Sequence, residues 1–110
     1  MKLCVTGIVL FATVAINAQI EIVQFSAEFL KDNEISLKSF RSYETKTLYM
    51  SKESAMFKKL DIKYIPTLVL FNNGEEVFRV ESGITLKLPE NSIELIEDQI
   101  EEIIESKFNC

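Results

Sequence analysis

Cys4 and Cys110 are the only thiols in this sequence, one near each end of its 110 residues. A thiolate can attack a disulfide or bind a soft metal. Turning over disulfides, or holding zinc within one chain, calls for a second sulfur close by, most often as Cys-x-x-Cys. Neither cysteine has that partner, so no intrachain dithiol and no metal centre is expected. Histidine is absent, which removes His-based acid–base pairs, catalytic triads and His-ligated metals together. No glycine-rich phosphate loop, no paired catalytic carboxylates and no cofactor motif stands out. The formal charge of -5 argues against nucleic acid as a partner, because binding a polyanion needs a Lys/Arg surface that releases its counterions.

The elements that would position any chemistry follow an apolar opening. Residues 1–18 read MKLCVTGIVLFATVAINA: Lys2, an apolar run over residues 3–16, then the small Ala18. That is the layout of a secretory signal peptide, and the run is shorter than the roughly 20 apolar residues of a permanent span. Cleavage after Ala18 is expected, with export to a periplasm or the exterior, loss of Cys4, and no stable membrane span in the mature chain. The competing reading makes residues 5–14 a buried strand of a cytoplasmic protein. Residues 19–110 are expected to form one domain. The composition, 47% hydrophobic and 26% charged, is globular, with no repeat, linker or low-complexity tract.

Residues 20–26 (IEIVQFS) alternate apolar and polar and are rich in β-formers, which predicts a strand. Residues 30–42 place Leu30, Leu37 and Phe40 among polar neighbours and predict a helix opening near Asp32-Asn33. A second strand is expected at 45–50 (TKTLYM). A second helix is expected at 51–60, where Glu53, Ala55, Met56, Phe57 and Leu60 recur at helical spacing. The uninterrupted run 67–71 (TLVLF) has the length of a strand buried on both faces. Asn72-Asn73-Gly74 then predicts a hairpin turn into a partner strand at 76–81, and Gly83 and Pro89 bracket a loop. Asn91 with Glu94 three places on forms a capping-box pattern. The stripe Ile93, Ile96, Ile100, Ile103, Ile104 predicts a last helix over 92–107. The class is α/β, in the order β-α-β-α-β-β-α.

IPTLVLFNNGEEVFRV, residues 65–80, resembles the thioredoxin hairpin in which Ile, cis-Pro and Thr open a buried strand that turns at Asn-Gly. VQFSAEF, residues 23–29, resembles the strand that leads thioredoxins into their active site. With the element order, the resemblance covers nearly all of 19–110, without the family's first strand and helix. It implies a three-layer thioredoxin-like fold, a central mixed four-stranded sheet flanked by helices, and a cis Ile65–Pro66 bond. It also implies where redox chemistry would sit, and there the sequence departs. The family's Cys-Gly-Pro-Cys falls on Leu30-Lys31-Asp32-Asn33, so Leu30 and Asn33 hold the two sulfur positions. Gln24 replaces the buried aspartate that serves proton transfer, and Ser26 replaces the tryptophan over the site.

The expected function is a non-catalytic binding or structural module. The alternative is a thiol–disulfide oxidoreductase of cell redox homeostasis working through Cys110 alone. By the resemblance, a binding groove comprises Phe29, Leu30, Ile65, Pro66, Gly83 and Ile84, where an extended protein or peptide segment pairs with the Ile65 backbone. The same residues would equally serve to cover the sheet end. Loop 85–89 either extends that groove or tucks against the last helix. The acidic face Glu94, Glu97, Asp98, Glu101, Glu102 and Glu105 either docks a basic partner or is a solvated face. Cys110 follows the last helix and could link two chains in an oxidising compartment.

Overall fold

The structure, a computed structural model, describes residues 20–108; the expected leader and Cys110 lie outside them. Four strands form one sheet: β1 (Ile20–Ser26), β2 (Glu44–Tyr49), β3 (Thr67–Asn72) and β4 (Glu75–Glu81). Their spatial order is β2-β1-β3-β4. β1 runs parallel to β2 and antiparallel to β3, and β3 and β4 form an antiparallel hairpin. The two-residue loop Asn73-Gly74 has φ of 60° and 80°, the left-handed pair that matches the twist of a tight hairpin. One extra residue bulges β4 between Phe78 and Glu76, and Val77 is exposed there.

β1 and β3 are central, so each buries both faces. On one face Ile20, Ile22, Leu68 and Leu70 pack with Phe40 and with Ile96 and Ile100 of the last helix, α2 (Ser92–Phe108). On the other, Val23, Phe25, Val69 and Phe71 pack with Phe57 of the short helix α1 (Ser54–Lys59). The Phe25 and Phe57 rings meet edge to face at 5.1 Å. The fold is therefore three layers around a mixed sheet, as the resemblance implied. The Ile65–Pro66 bond is cis.

Three local expectations need correction. Residues 30–42 do not form an α-helix; they hold two 3-10 turns, Glu28–Asn33 and Lys38–Phe40. Between them Glu34 is extended, at φ -74° and ψ 149°. The physical reason is a side chain of β1, described below. α1 is shorter than expected because residues 50–53 are used as a turn, in which the Lys52 and Glu53 N–H groups both donate to the Tyr49 carbonyl. Asn91 does cap α2 with its backbone, accepting the Leu95 N–H at 2.9 Å. The capping-box exchange is not formed among the described residues; instead Ser92 Oγ donates to the Pro89 carbonyl at 2.6 Å.

α1 ends in a Schellman motif: the Asp61 N–H donates to Lys58 O at 3.1 Å and the Ile62 N–H to Phe57 O at 2.9 Å. Asp61 takes the left-handed position at φ 56°. Arg79 of β4 grips this end, with Nη2 donating to Leu60 O at 2.8 Å and Nη1 to Asp61 O at 3.4 Å. Its Nε and Nη2 also donate to both Glu76 oxygens. That pairing holds the Glu76 carboxyl below its ordinary range and raises the Arg79 guanidinium above its own. A cation on helix-terminal carbonyls is favourably placed.

Asp61 is the one strained position in this joint. Asp61→Gly is expected to stabilise the fold by roughly 0.5–1 kcal/mol, the relief of left-handed strain less the added chain entropy of glycine. The urea midpoint, at unchanged slope, is the measurement.

Candidate functional site

The parallel pairing of β1 with β2, and the antiparallel pairing with β3, bring four chain segments to one end of the sheet. β1 exits there into 27–33, β2 exits into 50–53, β3 enters from 61–66, and β4 exits into 82–88. The segments are laced together by backbone. The Met50 N–H donates to Ser26 O at 3.0 Å, and the Ser82 N–H to Pro66 O at 3.2 Å. All six residues expected to line a groove lie on this rim. Phe29 is 74% exposed and Ile84 89% exposed; Ile65 and Gly83 are half-buried, and Pro66 and Leu30 are buried.

Gln24, Leu30, Asn33 and Ser26 each make a defined contact in the fold. Gln24, only 1% exposed, exchanges two hydrogen bonds with one backbone unit. Its Nε2 donates to Ile35 O and its Oε1 accepts from the Ile35 N–H, both at 3.0 Å. An α-helix through Ile35 would commit that N–H to Lys31 O and that carbonyl to the Ser39 N–H. The amide takes both groups, and the segment stays extended. Leu30 turns inward, its N–H donating to Ala27 O at 2.8 Å. Asn33 Nδ2 donates to Leu86 O at 3.0 Å, tying the first 3-10 turn to the loop after β4. Ser26 is fully buried and its hydroxyl donates to Ala27 O at 3.3 Å.

Loop 85–89 divides between the two places foreseen for it: Leu88 packs against the α2 core while Leu86 is exposed at the rim. Met50 and Tyr64 are further exposed apolar groups there. Sequence reasoning missed them, because their place depends on strand order. Beside the rim, Lys31 Nζ lies 5.5 Å from the centroid of the Tyr49 ring, and Tyr49 OH donates to Glu34 Oε1 at 3.3 Å. Burial, and then that hydrogen bond to a carboxylate, raise the Tyr49 phenol above its ordinary value. The acidic residues of α2 are all exposed. A groove of about 430 Å³ between residues 39–43 and α2 contains none of the rim residues.

No protein-family model matches the chain, and no curated protein matches it in sequence. Solved structures do. A mutant thioredoxin from Halobacterium salinarum NRC-1 superposes with a TM-score of 0.58 at 20% identity, over 84% of this chain and 80% of that one. The thioredoxin pre-protein of Schistosoma mansoni, in its reduced form, gives 0.54 at 20% identity, over 87% and 90%. The oxidised thioredoxin of Plasmodium falciparum gives 0.53 at 18% identity, over 86% and 90%. The chain has the thioredoxin-like fold.

On that fold the Gln24 amide is the most exacting group of the rim, since both its donor and its acceptor are used. Gln24→Glu keeps the shape but, once ionised, cannot donate and sets a charge against the Ile35 carbonyl. Its protonated form can restore the donor. The variant's carboxyl is expected to titrate high in the fold, so its stability is largest at acid pH and is lost as pH rises through that value. Chemical denaturation should show a deficit against the wild type of about 2–3 kcal/mol at pH 7, narrowing toward pH 4. A deficit independent of pH would contradict the bonding assigned to Gln24.

Proposed function

We propose that this chain is an exported thioredoxin-like domain that does no thiol–disulfide chemistry and uses the rim of its sheet as a binding surface. The observation that carries the proposal is the employment of Gln24, Leu30 and Asn33. At the positions where the family resemblance puts a proton-transfer acid and two sulfurs, these residues are bound into the fold. Exchange requires a thiolate to attack and a second thiol to resolve the mixed disulfide, and residues 5–109 contain no sulfur but methionine. α2 begins after the rim loop and runs 17 residues to Phe108, about 25 Å at 1.5 Å per residue. Cys110 follows the negative end of its dipole, where a thiolate is disfavoured. The leader-like run ending at Ala18 supports export.

Binding is supported by the backbone at the rim. The Tyr64 carbonyl accepts from Thr67 Oγ1 and the Pro66 carbonyl from the Ser82 N–H. The Ile65 N–H and C=O between them make no hydrogen bond among the described residues. Unpaired groups of this kind, set among exposed apolar side chains, suit the addition of an extended segment.

Insulin reduction by dithiothreitol tests the loss of redox chemistry. Protein taken from its native host, beginning at Gln19 by N-terminal sequencing, is expected to give the uncatalysed rate, and Cys110→Ser the same rate. Catalysis that disappears in Cys110→Ser would overturn the proposal in favour of a lone-thiol oxidoreductase.

A further inference from the structure

We infer that the occupant of the rim is a second copy of this chain, the two rims meeting about a two-fold axis with Ile65 paired to Ile65. This rests on reading the rim as a binding surface, and three observations single out the occupant. The first is the hydrogen bonding at Ile65. In an antiparallel pair, two opposed residues exchange both N–H···O=C bonds. Ile65, with both groups unpaired among the described residues, is complementary to itself across a two-fold axis, which is the requirement of an isologous interface.

The second is where apolar surface is exposed. Of the large hydrophobic side chains exposed among the described residues, Phe29, Met50, Tyr64, Ile84 and Leu86 all stand on the rim, and only Val77 lies elsewhere. Aromatic residues and methionine are the types enriched at interface centres.

The third is charge. The chain as a whole carries -5, which would drive two copies apart. The rim segments 27–33, 50–53, 61–65 and 82–88 hold Lys31, Lys52, Lys63 and Lys87 against an equal number of carboxylates. The acidic excess runs instead along α2, whose residues 92–106 contain no basic side chain. Two copies meeting at their rims therefore approach through surfaces of balanced charge, with signs interspersed.

The test is sedimentation velocity on the chain beginning at Gln19, as taken from its native host, with Cys110→Ser, from low to high micromolar concentration, so that no disulfide can link two copies. The expected result is a concentration-dependent shift from one copy to two. Ile84→Glu and Phe29→Glu should each weaken association at least about tenfold. Val77→Glu, a change at an exposed position away from the rim, should leave it unchanged. Thermal unfolding confirms that each variant is folded. The exchange rate of the Ile65 amide is expected to fall as two copies associate. Association that survives Ile84→Glu in the folded variant, or an Ile65 amide indifferent to concentration, would overturn the inference. A monomer whose Ile65 and Ile84 amide resonances move on adding extended Val/Thr peptides would overturn the second copy and leave the binding surface standing. A monomer that ignores those peptides would remove both.

Discussion

The side chain of Gln24 decides how the chain leaves the central strand. A buried primary amide must find both a donor and an acceptor, or the fold loses about 1–3 kcal/mol for each group left bare. The backbone of Ile35 supplies both at 3.0 Å. That satisfies Gln24 and occupies the two groups a helix would have used, so the chain from Glu28 to Phe40 is a pair of 3-10 turns around an extended step. Ile35 and Leu37 are thereby laid against the core that also receives Phe40 and α2. A titratable carboxylate at position 24 could not hold the same backbone unit at neutral pH, because it has no proton to donate.

The rim follows from strand direction. With β2 parallel and β3 antiparallel to β1, the exits of β1, β2 and β4 and the entry to β3 coincide. The Asn33 amide then joins the first 3-10 turn to the loop after β4. The rim has buried side chains beneath it, a backbone unit at Ile65 that is unpaired among the described residues, and exposed apolar groups above. Its position is inherited from the sheet.

Where the pattern was strong and local, the sequence was enough. The Asn73-Gly74 hairpin, the buried run of β3 and the isoleucine stripe of α2 are each set by neighbours within a few residues, and the structure has them. Residues 30–42 misled because what rules out a helix there is a side chain 11 residues before Ile35. In the sequence, Gln24 is only a polar member of an alternating strand. The Asn33–Leu86 tie spans 53 residues and had no local signal. Asp61 offered none either, since a left-handed helix end is more often marked by glycine. Phe29, Leu30, Ile65, Pro66, Gly83 and Ile84 lie far apart in the chain, and only the family resemblance grouped them; strand pairing carries their segments to one end of the sheet. Met50 and Tyr64 needed the sheet itself.

Amide exchange of Gln24 and Ile35, followed by NMR on the wild-type chain, tests the central claim most directly. The account predicts a slowly exchanging, well-separated Gln24 side-chain NH2, a protected Ile35 N–H, and extended-backbone chemical shifts at Glu34. A Gln24 side chain that exchanges at the rate of a free amide, with helical shifts running through residues 34–37, would contradict it.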